Sequence, residues 1–362
     1  MAKRVGIDKW LFASTLLLVL IGVVMVFSAS AVMANERFGS AYYFLFRQLG
    51  WAVGGLVAMA VAMNIDYRKW KRPVVVFTFL GITTLLLVAV LFLDRSHNTH
   101  RWIRMGAASF QPSELVKPAL ILFLAFFLEA RAKSINDWRH TLLPAAIPTV
   151  LFCALILLQP DLGTALVCLG ITVALLYAAG TRLRYFAYSL VPIIPVLIYF
   201  LSKPWRLARL MAFLHPEKDL QGAGFHVHQS LIAVGTGGVT GLGLMEGKQK
   251  LFYLPEPHTD FIYAVAAEEF GLIGAVLIAT LFFIFVWRGL RAAWRTRDLF
   301  GRFLAIGITT MIVVQAFFNM SVTLALLPTK GIPLPFISYG GSSLFVMLAS
   351  VGVLLNVSQQ SE

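Results

Sequence analysis

Ten stretches of 18 to 27 residues carry few or no charges, and that one feature removes most folds from consideration. They run 11–32, 47–65, 73–93, 113–130, 141–160, 162–180, 185–202, 261–287, 303–328 and 340–357. About 20 predominantly apolar residues in a helix cross the hydrocarbon core of a bilayer. Lipid offers no partner to a backbone N–H or C=O, so each run must be helical. The fourth run is interrupted by Glu114 and Lys117, and only Gln159, Pro160 and Asp161 separate the fifth from the sixth. Composition agrees: 59% of the 362 residues are hydrophobic and 13% charged, against roughly 25% charged in a soluble domain. The expected fold is an all-α integral membrane protein of about ten transmembrane helices. It reads as a single polytopic domain, 1–362, with a large extracytoplasmic loop at about 203–260 between spans 7 and 8.

The formal charge of +13 arises from 30 Lys and Arg against 17 Asp and Glu. No basic run is interleaved with aromatic residues, so nucleic acid is not an expected partner. Basic loops against anionic lipid account for the excess. With the N-terminus inside, seventeen of the thirty fall on inner segments, beginning with Lys3, Arg4 and Lys9. That bias places both termini in the cytoplasm. The basic start and the long apolar run after it, with no small-x-small cleavage site, read as a retained first span. Cys153 and Cys168 lie inside apolar runs and read as packing residues.

The 203–260 segment is too apolar for disorder and is expected to lie partly in the membrane interface. Its GTGGVTGLG resembles a phosphate loop but lacks the GKS or GKT ending and a preceding strand. It ends in YLPEPHTDF, which sets Glu256, His258 and Asp260 at the start of the eighth span.

Ionisable residues near membrane depth are functional candidates, although many are structural ion pairs. Asp260 suits a plain helix cap. It equally suits a carboxylate that takes a proton from a sugar hydroxyl or holds a metal near pyrophosphate. Glu256 and His258 make the cluster denser than a cap requires. Glu114 and Lys117, three apart, share a helix face, either as a self-neutralising pair or as the floor of a polar cavity. Glu268 lies about 80° around the helix from Asp260, near enough to line the same cavity, and Glu269 points elsewhere. Arg101, Arg104, Lys203, Arg206, Arg209, Lys248, Lys250 and Lys330 are outer basic residues that together suit a phosphate-bearing lipid head group. Each alone suits interfacial snorkelling. No second polar cavity is evident at the inner end. The ligand these features fit is amphiphilic and anionic, which leaves a transporter, a lipid-linked transferase or a scaffold.

Six stretches resemble the SEDS family (shape, elongation, division and sporulation), whose members include FtsW, RodA and SpoVE. They are VMVFSAS (24–30), RWIRMGAASFQPSELVK (101–117), QPDLGT (159–164), HQSLIAVGTGGVTGLGL (228–244), QKLFYLPEPHTDFIYAVAAEEFGLIG (249–274) and LLPTKGIPLPFISYGGSSL (326–344). The resemblance implies a peptidoglycan glycosyltransferase that polymerises lipid II at the outer face of the bacterial cytoplasmic membrane. The growing glycan is carried on undecaprenyl pyrophosphate. It implies work beside a class B penicillin-binding protein transpeptidase and other divisome or elongasome membrane proteins. It makes Asp260 the essential, expected catalytic residue and Glu114 with Lys117 the important charged pair. Arg101, Glu256, His258, Glu268, Lys330 and Ser338, all within these stretches, are expected to bind substrate or support the site. A single displacement with inversion needs no enzyme nucleophile. The reading leaves room for a divalent cation, Mg or Mn, at Asp260 and for no organic cofactor. QKLFYLPEPHTDF and LLPTKG are similar to the FtsW branch, GIPLPF to the RodA branch. A lipid II flippase and a divisome scaffold are the competing readings.

Overall fold

The computed structural model describes residues 6–93, 101–105, 108–203, 224–251, 253–254 and 256–360, together with 207, 210, 211, 213 and 214. Lys3, Arg4, Arg206 and Arg209 lie outside the described residues. The helices are α1 (Lys9–Phe38), α2 (Tyr43–Asn64), α3 (Pro73–Leu93), α4 (Ser113–Ala130), α5 (Leu143–Leu158), α6 (Leu162–Ala178), α7 (Leu183–Leu201), α8 (Phe225–Gly237), α9 (Ile262–Arg295), α10 (Leu299–Thr323) and α11 (Gly341–Gln359). Each of the ten apolar runs lies on one of them, and α8 is an addition inside the 203–260 segment. Among the described residues, seven helices are long and apolar enough to cross a membrane: α1, α2, α3, α5 with the π turn Trp138–Leu142 before it, α9, α10 and α11. Such a chain is a multi-pass membrane protein.

Helix ends follow local chemistry rather than the limits of the apolar runs. α1 begins at Asp8, whose carboxylate accepts Leu11 N–H at 3.1 Å, and stops at Gly39 in the left-handed region, a common helix terminator. It therefore runs six residues past the expected 32. α9 likewise continues to Arg295, beyond the expected 287.

α11 and α10 are central, with 72% and 61% of their most apolar windows buried, whereas α2 and α3 have 22% each and face lipid. α2 packs along α11, α9 against α1, α8 and α10, and α10 also against α4 and α6. At the end of the bundle that carries Asp260, β1 (Ile103–Met105) and β2 (Ala108–Phe110) form a small antiparallel hairpin that pairs Ile103 with Phe110. The segment between α10 and α11 turns back into the protein. Its Ile332, Leu334, Phe336 and Ile337 are all buried. Irregular backbone at membrane depth survives only where protein covers it.

α9 is broken at Gly271, whose φ of 65° and ψ of −162° belong to a region that is essentially glycine's alone. The break frees the carbonyls of Glu268 and Glu269. These accept Leu242 N–H and Gly243 N–H, each at 3.0 Å, and Leu272 N–H returns to Gly238 O at 2.9 Å. A Cβ on Gly241 would stand 2.1 Å from Glu269 O, so the segment must be bare to come this close. GTGGVTGLG is thus a backbone splint across a broken helix.

Candidate active site

Asp260 closes the turn before α9 and is partly exposed at the mouth of the bundle. Three successive carbonyls fix its main chain. His258 O accepts Tyr339 N–H at 2.9 Å, Thr259 O accepts the Ser338 hydroxyl at 2.6 Å, and Asp260 O accepts Asn319 Nδ2–H at 2.8 Å. The same Asn319 amide donates to Ile332 O at 2.8 Å. Ser338 Oγ meanwhile accepts Leu334 N–H at 2.8 Å. One asparagine on α10 and one serine in the re-entrant segment therefore clamp the HTD turn from two sides. A Cβ at Gly331 would stand 2.8 Å from Asp260 Oδ2, so the carboxylate lies against the bare backbone of that segment. Lys330 is the residue before it and is partly buried.

The clamp holds two non-glycine residues in the left-handed region, Glu256 at φ 48° and Phe336 at φ 66°. Each such residue costs roughly 1–2 kcal/mol, which the surrounding hydrogen bonds offset. Glu256 is exposed, 3.9 Å from His258 Nε2. His258 is buried against Phe44 and Tyr339, with ring centroids at 4.7 and 5.6 Å. Burial, then the nearby Arg37 charge, lowers its pKa to about 4, so the ring is neutral near pH 7.

Glu114 and Lys117 are both buried and meet at 2.7 Å. Lys117 Nζ also donates to Gln315 Oε1 at 2.9 Å. Gln315 and Asn319 are four apart on α10, so the ion pair lies one helical turn, about 5–6 Å, below the Asp260 strap. The pair is an internal network that reaches the Asp260 turn through one face of α10.

Several expected contacts resolve differently. Arg101 was read as a phosphate contact, but its Nε and Nη2 donate to Gln159 O and Pro160 O at 2.7 and 2.6 Å. It ties the hairpin to the turn between α5 and α6. Asp161 in that turn caps α6 through Thr164 and accepts Gln111 Nε2 at 3.4 Å. A Cβ on Gly163 would meet Ile332, so this turn rests on the same re-entrant segment. Glu268 was read as lining the cavity of Asp260. Its carboxylate instead accepts Lys248 N–H at 2.8 Å and Gln249 N–H at 3.2 Å. Lys250 was read as an outer basic residue, yet it is buried 2.6 Å from Glu269, with Ser28 Oγ bonded to both. Removing charges from water demands such partners. Asn319 and Gln315, which support the Asp260 turn, and Ser28, which bridges Lys250 and Glu269, give no signal in the sequence, because a lone amide or hydroxyl in an apolar run has no telling spacing.

Fold and site together define a polytopic helical membrane protein with one clamped carboxylate at the mouth of its bundle. The chain belongs to the FtsW/RodA/SpoVE family: the profile described as "Cell cycle protein" matches residues 8–362. It is 46% identical over 361 residues to the probable peptidoglycan glycosyltransferase FtsW of Geobacter sp. (strain M18), covering 99% of this chain and 98% of that one. It is 44% identical over 365 residues to stage V sporulation protein E of Bacillus subtilis (strain 168), covering 99% of both. Among solved structures, a chain in "Structural coordination of polymerization and crosslinking by a peptidoglycan synthase complex" superimposes with a TM-score of 0.80 at 29% identity, over 98% of both chains. The rod shape determining protein RodA of Thermus thermophilus gives 0.72 at 27%, again over 98% of both.

Proposed function

We propose that this chain is a peptidoglycan glycosyltransferase that polymerises lipid II, with Asp260 as the general base. The observation that carries the proposal is the clamp: three consecutive carbonyls of the HTD turn are bonded while the Asp260 carboxylate stays at the mouth of the bundle. The substrate is anchored in the same membrane by its polyprenyl tail, so donor and base meet in a layer rather than a volume. The acceptor hydroxyl gives its proton to Asp260 as its oxygen attacks the anomeric carbon of the donor sugar. The bond from that carbon to the pyrophosphate oxygen breaks, and the electron pair leaves with undecaprenyl pyrophosphate. One displacement inverts the anomeric configuration. A positioned base of this kind contributes roughly 10²–10⁴-fold. Lys330, beside the Gly331 that Asp260 touches, is the candidate cation for the leaving pyrophosphate.

Among the described residues, no three His, Cys, Asp or Glu side chains converge on a metal position. Mg and Mn are often held by one or two carboxylates with substrate phosphates, so Asp260 and the pyrophosphate suffice as ligands. Such an ion, when bound, would neutralise charge on the pyrophosphate.

The chain sits in the bacterial cytoplasmic membrane with both termini cytoplasmic and Asp260 at the outer face, following the Lys/Arg bias. Its partners are a class B penicillin-binding protein and other divisome proteins. The division assignment is supported by relatives at 44–47% identity named FtsW and stage V sporulation protein E. The test is glycan polymer formed from lipid II in detergent micelles by the purified chain with its transpeptidase. Micelles have no second compartment, so a flippase or scaffold yields no polymer there, whereas the transferase does.

A further inference from the structure

The sequence shows no second polar cavity, but the structure contains one, at the end of the bundle far from Asp260. After its break at Gly271, α9 continues to Arg295, 24 residues or about 36 Å at 1.5 Å per residue, against a hydrocarbon core of about 30 Å. Its last turns therefore extend past the core. Arg288, Arg291 and Arg295, spaced three and four apart, share one face of those turns. With the start of α1 and the end of α11 they enclose a cleft of about 330 Å³, the lower end of the range for small-ligand sites.

Charge in this cleft is lopsided. Its lining includes Lys9 and the three arginines against a single acid, Asp8. Asp8 is fully used: Arg288 Nη2 approaches it at 2.6 Å and Arg288 Nε at 2.8 and 3.0 Å, while its Oδ1 caps Leu11 N–H. That pair rivets α1 to α9. Among the described residues, Lys9, Arg291 and Arg295 form no ion pair. Among the described residues, three cations thus converge on this cleft and its lining holds no second acid to balance them.

Depth identifies the ligand. Trp10, Trp287 and Trp294 surround this end and are 64%, 56% and 76% exposed. Tryptophan concentrates at the head-group layer, so the cleft lies where lipid phosphates lie. Its volume holds a glycerophosphate head group, and acyl chains would remain in the bilayer beside the apolar faces of α1 and α9. We propose that this cleft binds the phosphodiester head group of an anionic phospholipid in the leaflet at the termini's end of the bundle. The proposal does not depend on the glycosyltransferase reading.

The test is native mass spectrometry of the full chain in detergent, titrated with phosphatidylglycerol or phosphatidylcholine. The samples are wild type, Arg291→Gln and Arg295→Gln singly and together, and Lys133→Gln. Arg288 is left intact because it rivets the fold. Lys133 is an exposed basic residue away from the cleft. A basic residue near an anionic surface is worth about five-fold in affinity. Wild type is expected to prefer phosphatidylglycerol, the double variant to lose about 25-fold, each single variant about five-fold, and Lys133→Gln less than two-fold. Equal retention by wild type and the double variant would overturn the proposal, as would equal binding of the two lipids. Displacement of phosphatidylglycerol by inorganic phosphate would make this a soluble-anion site and overturn the lipid assignment.

Discussion

Asn319 Nδ2 donates to the carbonyls of Asp260 and Ile332, each at 2.8 Å, so one amide sets the distance between the candidate base and the segment facing it. Its Oδ1 is buried with no partner among the described residues, so both donor hydrogens are engaged and the acceptor is not. Asn319→Leu leaves one buried carbonyl, of Ile332, and one partly buried carbonyl, of Asp260, without this donor and frees the turn. Destabilisation of roughly 1–3 kcal/mol is expected. The polymerisation rate should fall about 100-fold, the scale set by a 1 Å misplacement of a catalytic group. Lipid II turnover and thermal unfolding on the same sample separate the two effects.

Gly331→Ala isolates the carboxylate itself. Residue 331 is exposed and is not among the residues of positive φ, so alanine fits the backbone. Its Cβ, however, would stand 2.8 Å from Asp260 Oδ2. The expected outcome is a melting temperature within two degrees of wild type, a shift of about 1 kcal/mol or less, with polymerisation reduced at least ten-fold. A variant that polymerises at the wild-type rate shows that the carboxylate does not need this approach.

The Glu114–Lys117 pair should behave as a unit. Lys117→Met strands the buried Glu114 carboxylate and takes a donor from Gln315 Oε1; breaking a buried pair in this way costs about 3–5 kcal/mol. Lys117→Met combined with Glu114→Gln removes both charges and should recover most of that loss. A double-mutant cycle on detergent-solubilised protein measures the coupling; additive effects would refute the pairing.

His258 makes stability depend on pH in a defined direction. Its pKa falls from 6.5 unfolded to about 4 folded, so between those values the unfolded chain binds more protons. Stability is full above pH 6.5 and declines as pH falls toward 4, by about 3 kcal/mol in all. The substitution His258→Phe keeps an aromatic ring against Phe44 and Tyr339 and removes the titrating group. It should flatten the decline between pH 7 and 5 in thermal unfolding.

The helices were legible in the sequence because apolar length is a direct physical requirement of the bilayer. Their limits were not, since Asp8, Gly39 and the Gly271 break act through single residues. Asp260 stood out because a carboxylate beside an apolar run is costly and asks for a reason. Lys250 and Arg101 misled because a basic residue between spans looks the same whether it meets solvent, Glu269 or the carbonyls of Gln159 and Pro160. Burial decides that, and burial depends on segments more than fifty residues away, such as α1 with Ser28. The re-entrant segment was read only as a motif. Nothing in GIPLPFISYGG announces that Ser338 would grip Thr259 O.

The central claim is that the Asp260 carboxylate, and not merely its turn, performs the chemistry. Asp260→Asn keeps the side-chain size and the three main-chain bonds while removing the base. The decisive measurement is the initial rate of lipid II polymerisation by this variant with its transpeptidase, alongside its melting temperature. An unchanged melting temperature with a rate at least 100-fold lower is the predicted result. A well-folded Asp260→Asn that polymerises within three-fold of wild type would contradict it.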